Sequence, residues 1–156
     1  MPCSYPQSAV YVAHLSDLPP KSVDVISAFE VCEHLYPGEL ARLAADAKSA
    51  LKPGGKLIVS VPIMYGALIV PKVLNKIIMY RKNNTGYDLA STLKSLVGAQ
   101  IPRPADPRHT HQGFDFRDLI QDLSQYFFIK QKCYHPFRML PWYMNSQIFM
   151  VCESRT

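Results

Sequence analysis

The stretch that decides the fold is VDVISAFEVCEHLYPGELARLAADAKSALKPGGKLIVSVP, residues 23–62. Its first seven residues, 23–29, form an apolar run that is typical of a parallel strand covered on both faces. A proline and two glycines then precede a second apolar run, residues 56–63. Between the two runs, apolar residues recur at helical spacing, namely Leu40, Leu43, Ala44, Ala47 and Leu51. This order predicts two parallel strands joined by a helix in a right-handed crossover.

The remainder of the chain adds further predicted elements. Residues 8–15, SAVYVAHL, are a short strand candidate. Residues 115–127 place apolar side chains on one helical face, with Asp115 as the N-cap. Strand candidates follow at 127–134 and 146–154, and because no helix lies between them they are predicted to be antiparallel neighbours.

Composition limits the class of protein. The 156 residues are enough for one domain, predicted here over 1–156. The 17 Lys and Arg exceed the 12 Asp and Glu by a mild margin, and no basic stripe with interleaved aromatics indicates nucleic-acid binding. Four cysteines without a C-x-x-C pair favour reduced thiols. With no basic, apolar leader at the N-terminus, the predicted location is cytoplasmic.

About fifty residues, 63–112, separate two regular regions, which is far more than an ordinary connection. We interpret them as a partly helical lid or insertion. Residues 67–82 combine an apolar body with basic residues, namely Lys72, Lys76, Arg81 and Lys82. Such a segment suits either a lid helix packed on the core or a helix that contacts a membrane surface.

Residues 23–62 resemble the middle of class I S-adenosylmethionine-dependent methyltransferases of the small-molecule, type 11-like kind. The family pattern is roughly FDVV-x-x-x-EVLEHL, a helix, and then LKPGG. Residues 111–117, HQGFDFR, resemble a later H-x-GFD-x-R segment of the same family. The resemblance implies an α/β, truncated Rossmann-like methyltransferase fold. Parallel strands, a C-terminal antiparallel pair and helices on both faces are expected.

The resemblance also implies a cofactor, S-adenosylmethionine, and the residues beside it. In an open α/β sheet, ligands bind beyond the carboxyl ends of the strands. The family places Ala28, Phe29 and Glu30 beside the methionine part of the cofactor. Asp17 stands near the family position that contacts adenine, but in a shifted register.

For the acceptor, the resemblance implies a small molecule or a glycan- or lipid-linked group. His34 is the predicted catalytic base, since an imidazole titrates near neutrality. Glu33, His109, His111 and Arg117 are predicted to bind the acceptor. Glu33 has a structural alternative as a helix-dipole partner. The H-x-H pair has no third ligand at a recognised spacing, so no metal site is predicted.

One part of the family pattern is missing from the sequence. No G-x-G turn occurs, although such a turn lets the backbone approach the nucleotide in the family. We therefore expect weak or absent cofactor binding. The alternative is a non-catalytic remnant that serves as a binding or dimerisation module, or a fragment with a misassigned start.

The family also has a strand that pairs with the equivalent of residues 23–29. Without that strand, 23–29 becomes a sheet edge with open hydrogen-bonding groups. We predict that strand 8–15 covers this edge, or that two chains pair there as a homodimer.

Overall fold

The computed structural model describes residues 12–80, 88–108 and 110–154, with helical residues 76, 77, 79 and 80 described by their backbone alone. Four strands of these residues form one mixed sheet, and the strands are β1 (Val23–Phe29), β2 (Leu51–Pro62), β3 (Phe127–His135) and β4 (Gln147–Ser154). Their order in the sheet is β1-β2-β4-β3. The helices are α1 (Pro37–Ala50), α2 (Ile69–Tyr80), α3 (Leu89–Leu96) and α4 (Phe116–Leu123).

The strand–helix–strand prediction is confirmed. β1 and β2 are parallel, with Ile26 opposite Leu57, and α1 connects them. Pro37 occupies the first turn of α1, and the Glu39 carboxylate accepts a hydrogen bond from the backbone N–H of Tyr36 at 2.9 Å. The buried face of the helix consists of Leu40, Ala44, Ala47 and Ala50. One boundary was wrong: Leu51 takes an extended backbone conformation and begins β2 instead of ending α1.

The predicted C-terminal antiparallel pair is also confirmed, since β3 and β4 pair antiparallel. β4 also pairs antiparallel with β2 and therefore lies between β2 and β3. Alternate β4 side chains point into the core and are fully buried, namely Ile148, Met150 and Cys152. The predicted α/β fold class agrees with this mixed sheet and its helices.

β1 is an edge strand among the described residues, which corrects the expected coverage of both its faces and leaves the predicted strand 8–15 without support over residues 12–15. Residues 8–11 lie outside the described part, while residues 12–14 are irregular and a 3-10 turn follows at Leu15–Asp17. No strand of the described residues therefore covers β1. Val25 and Phe29 are each 53% exposed, so β1 is not covered on both faces as its apolar sequence suggested. Pairing with a second chain at this edge stays a prediction.

The insertion is partly helical, as expected, and α2 is attached to the core by a lysine. Lys72 Nζ donates hydrogen bonds to the carbonyl oxygens of Ile63 at 2.8 Å and Ser146 at 3.1 Å. Burial lowers the pKa of Lys72 to about 8. Lys72 is therefore an internal anchor that attaches α2 to the core, which agrees with the lid-helix alternative.

The outer side of α2 carries an apolar stripe, because Val70, Leu74 and Ile78 are exposed at four-residue spacing. None of the helices in the described residues is long and apolar enough to span a bilayer. Peripheral membrane contact through 67–82 stays a prediction, and Arg81 and Lys82 lie outside the described residues.

Substitution of Gly66 would test how the insertion is attached to the core. The φ of Gly66 is +89°, and a Cβ there would lie 2.5 Å from the Tyr143 carbonyl oxygen. We expect Gly66→Ala to lower the free energy of unfolding by about 2 kcal/mol, through left-handed strain and displacement of backbone. Gly38→Ala in α1 is the matched control, because nothing lies within 4 Å of its Cβ position. Urea denaturation of both variants measures the difference, and equal stabilities would contradict the described packing.

Candidate functional site

Glu30 lies at the carboxyl ends of the parallel strands. It follows β1 directly and has a φ of +53°, a left-handed conformation that is uncommon outside glycine. Its N–H donates to the Ser60 carbonyl oxygen at 3.0 Å. Its Oε1 accepts hydrogen bonds from Ser60 Oγ at 3.3 Å and from Gln147 Nε2 at 2.8 Å. Two neighbouring strands therefore hold the Glu30 carboxylate at the strand ends. The sequence analysis missed Ser60 and Gln147, although Ser60 is a lone hydroxyl in an apolar strand.

The next turn, Cys32–His34, carries Glu33 into the interior. The Glu33 side chain is 0% exposed, and neither carboxylate oxygen has a hydrogen-bond partner of normal geometry among the described residues. Burial raises its pKa to about 7; the negative charge of Glu30 adds to the rise, while His34 opposes it. Glu33 can therefore exchange a proton near neutral pH.

Two imidazoles converge on this carboxylate. His34 Nε2 lies 4.0 Å and His111 Nδ1 lies 3.9 Å from Glu33 Oε1. The two rings are 4.7 Å apart between centroids. The His34 and His111 side chains are 34% and 42% exposed, so the group reaches the surface. We call these three residues the Glu33–His34–His111 cluster.

His34 is oriented by a second contact. Its Nδ1 lies 3.4 Å from the carbonyl oxygen of Pro107, which only accepts. A proton on Nδ1 therefore satisfies this contact and leaves the Nε2 lone pair on the side of Glu33. The insertion supplies both His111 and Pro107, so it completes the site that the β1–α1 connection begins.

Arg103 closes one side of the site, and nothing in the sequence indicated this. Its guanidinium donates to the backbone carbonyl oxygens of Glu33 and Leu35 and lies over the Phe114 ring. A cleft of about 240 Å³ opens beside it, and its lining includes Cys32, Gln100, Arg103, Asp115 and Asp118.

Arg117 and Asp115 form an ion pair in which the Asp115 carboxylate is buried and the Arg117 guanidinium is partly exposed. Arg117 Nη2 lies 2.6 Å from Asp115 Oδ2, and Nε contacts both carboxylate oxygens. Asp115 also accepts from the Arg117 backbone N–H, which confirms it as the N-cap of α4. Burial opposes the shift, but hydrogen bonds from Arg117 and Gln100 keep the pKa of Asp115 below its usual range. The Arg117 guanidinium thus already holds one anion, and contact with an anionic acceptor stays a prediction.

The other predicted site residues are dispersed. Ala28 is buried under the sheet end, whereas Phe29 is exposed and meets the Phe149 ring edge-on at 6.4 Å between centroids. Asp17 lies in the turn that packs against α1, and its carboxylate accepts a hydrogen bond from the His14 N–H at 3.0 Å. His109 lies outside the described residues.

The comparison with known families decides what this arrangement resembles. Residues 5–59 match a family model described as a methyltransferase domain. Over these residues the chain resembles a type 11 methyltransferase. This confirms the resemblance inferred from the EVCEHL and LKPGG segments. No curated protein matches the chain.

Solved structures support the same fold. A methyltransferase of Methanosarcina mazei described as S-adenosylmethionine-dependent shares 16% identity at a TM-score of 0.55, over 92% of this chain and 66% of that one. A Pyrococcus horikoshii protein shares 14% identity at a TM-score of 0.55, over 93% of this chain and 58% of that one. A Listeria monocytogenes protein described as a putative S-adenosylmethionine-dependent methyltransferase shares 12% identity at a TM-score of 0.54, over 99% and 73%. The methyltransferase-like chain thus spans about three fifths of the length of the first two structures.

The described residues suit one side of a methyltransferase cofactor site, the side that contacts the methionine part. The strand end at Ala28–Glu30 offers backbone and a fixed carboxylate, which suit the polar methionine part of S-adenosylmethionine. The described residues include no glycine-rich turn for the nucleotide. Phe29, at the end of β1, is exposed to solvent, so no described residue covers this side of the strand end. They do not enclose the whole cofactor.

Proposed function

We propose that this methyltransferase-like chain forms the acceptor side of a site for S-adenosylmethionine-dependent methyl transfer. The supporting observation is the buried Glu33 carboxylate, which two half-exposed histidines approach at the carboxyl ends of parallel strands. Ligand sites of open α/β sheets occupy this position. The acceptor is a small molecule, or a glycan- or lipid-linked group, that presents a hydroxyl or an amine.

His34 is proposed as the catalytic base. S-adenosylmethionine, when bound, supplies an electrophilic methyl group on its sulfonium. A hydroxyl or ammonium acceptor must lose a proton during the transfer, and His34 Nε2 is the proposed acceptor of that proton. The contact of Nδ1 with the Pro107 carbonyl oxygen supports this role, because it leaves the Nε2 lone pair available. Glu33, next to that nitrogen, stabilises the resulting imidazolium when it is ionised. His111 and Arg103 line the approach and orient the acceptor.

The nucleotide part of the cofactor is proposed to be bound by residues beyond the described ones, in this polypeptide or in a partner. Ala28, Phe29 and Glu30 would then contact only the methionine part. Because the strand end at residues 28–30 gives few contacts, we expect the isolated chain to bind S-adenosylhomocysteine weakly, with a dissociation constant on the order of millimolar.

A two-dimensional amide NMR titration with S-adenosylhomocysteine tests this proposal. We expect shifts confined to residues 28–34. Glu30→Gln should weaken binding about tenfold, because it removes a charged partner of the ligand ammonium. Glu153→Gln is the control, since Glu153 pairs with Lys130 and lies opposite Lys56, away from the strand end. Shifts that are absent, or that Glu30→Gln leaves unchanged, would reject the proposal.

A dimerisation module is the second candidate function, and the exposed edge of β1 favours it. Val25 and Phe29 present apolar surface beside an edge that no other described strand covers. This candidate gains support over methyl transfer if sedimentation shows a dimer that Val25→Lys dissociates and the NMR titration shows no shifts. The reverse pattern supports methyl transfer.

A further inference from the structure

We propose that the Glu33–His34–His111 cluster binds a divalent transition-metal cation of the Zn²⁺ type. Two imidazole nitrogens and one carboxylate oxygen are a donor set that such cations accept. The sequence analysis considered only the H-x-H pair and missed this set, because Glu33 and His111 are far apart in the chain.

The donor atoms are already close together. One ligand atom from each of the three residues lies within 4.8 Å of the other two. In a tetrahedral zinc site with bonds of about 2.0–2.1 Å, donor atoms are about 3.4 Å apart. The distances of 3.9 and 4.0 Å from Glu33 Oε1 to the two imidazole nitrogens must therefore contract by about 0.5 Å. The two imidazole nitrogens lie within 4.8 Å of each other and must approach by as much as about 1.4 Å. Rotation of the two partly exposed imidazoles would supply these movements.

The burial of the Glu33 carboxylate and its lack of hydrogen bonds to described residues independently point to a bound cation. The carboxylate is fully buried, points at the two imidazoles, and has no hydrogen-bond partner of normal geometry among the described residues. Arg103 does not supply one, since its guanidinium donates to the backbone carbonyl oxygen of Glu33. A buried carboxylate without a partner is costly, whereas a bound cation would satisfy it. The nearby Glu30 carboxylate adds negative charge that favours a cation, whereas the Arg103 guanidinium, which also faces Glu33, opposes it.

The surroundings also match a metal site. Histidine ligands commonly donate their second N–H to a carbonyl or carboxylate, and the Pro107 carbonyl oxygen lies 3.4 Å from His34 Nδ1. The partial exposure of His34 and His111 leaves space for a fourth ligand, such as water. This proposal does not rest on methyl transfer. In the metal-loaded chain His34 Nε2 is a ligand, so its role as a base would belong to the metal-free chain.

The test is a competition titration of the chelator-treated full chain with Zn²⁺ and a fluorescent zinc indicator. We expect one equivalent of Zn²⁺ to bind. Glu33→Gln and His111→Asn should each weaken binding at least tenfold, since each removes one of three protein ligands. His14→Gln is the matched control, because His14 is exposed on the turn next to α1, and it should bind like the unmodified chain.

Co²⁺ absorption identifies the ligand types without relying on variants. The proposed site predicts visible bands of tetrahedral or five-coordinate cobalt, without the near-ultraviolet charge-transfer band that thiolate ligands produce. Far-ultraviolet circular dichroism confirms that each variant is folded. Absence of stoichiometric binding, a thiolate band, or folded Glu33→Gln and His111→Asn variants with unchanged affinity would each overturn the proposal.

Discussion

Asn145→Ala should lower the free energy of unfolding by about 4 kcal/mol, which is the largest single-residue effect that we expect. Asn145 is fully buried. Its Oδ1 accepts from the Phe137 N–H at 2.7 Å, and its Nδ2 donates to the carbonyl oxygens of Phe137, Leu140 and Pro141 at 3.0–3.1 Å. Alanine leaves these backbone groups without their partner, and each buried group left unsatisfied costs about 1–3 kcal/mol.

Urea denaturation at equilibrium measures this loss. Asn145→Asp is informative beside it, because aspartate can still accept from Phe137 but cannot donate to three carbonyl oxygens, so we expect a loss nearly as large. Asn75→Ala, on the exposed side of α2, is the control and should change stability by less than about 0.5 kcal/mol. Equal stability of Asn145→Ala and the control would show that the β3–β4 connection is not held in this way.

Glu33→Gln should make the chain more stable than the unmodified one above pH 7, by about 3 kcal/mol in metal-free buffer. The pKa of Glu33 is raised from 4.5 to about 7, mainly by burial. The folded state therefore keeps a proton that the unfolded state releases at lower pH. Stability from this group is fully present below about pH 4.5 and is lost as pH rises through about 7. A shift of this size corresponds to about 3 kcal/mol.

The measurement is the unfolding free energy of both chains from pH 4.5 to 8 in the presence of a chelator. We expect the advantage of Glu33→Gln to be smallest at pH 4.5 and to reach its full value above pH 7. The groups facing Glu33 are Glu30, His34, His111 and Arg103, and both chains retain them. An advantage that does not change with pH would contradict a buried carboxylate without hydrogen bonds to described residues.

The fold was largely predictable because its elements carry local signals. The apolar runs of β1 and β2, the proline at the start of α1 and the Asp115 cap each identify an element within a short window. The position of β4 between β2 and β3 was not predicted. Strand order depends on contacts between distant residues, which periodicity does not encode.

The site was only half predictable for the same reason. Glu30, Glu33 and His34 were found because they follow a strand directly in sequence. Their partners come from far along the chain: Gln147 reaches Glu30 across 117 positions. Lys72 was taken for a basic residue of a helix that could contact a membrane surface, and Arg117 for a residue that binds the acceptor. In the structure, Lys72 instead binds backbone carbonyls and Arg117 pairs with Asp115.

A co-crystal structure of this chain with S-adenosylhomocysteine tests the central claim most directly. Our account predicts that the homocysteine part lies against Ala28, Phe29 and Glu30. The adenosine should extend away from the residues described here. An adenosine enclosed by residues 12–80, 88–108 and 110–154 of one protomer, or a ligand bound away from the end of β1, would contradict the account.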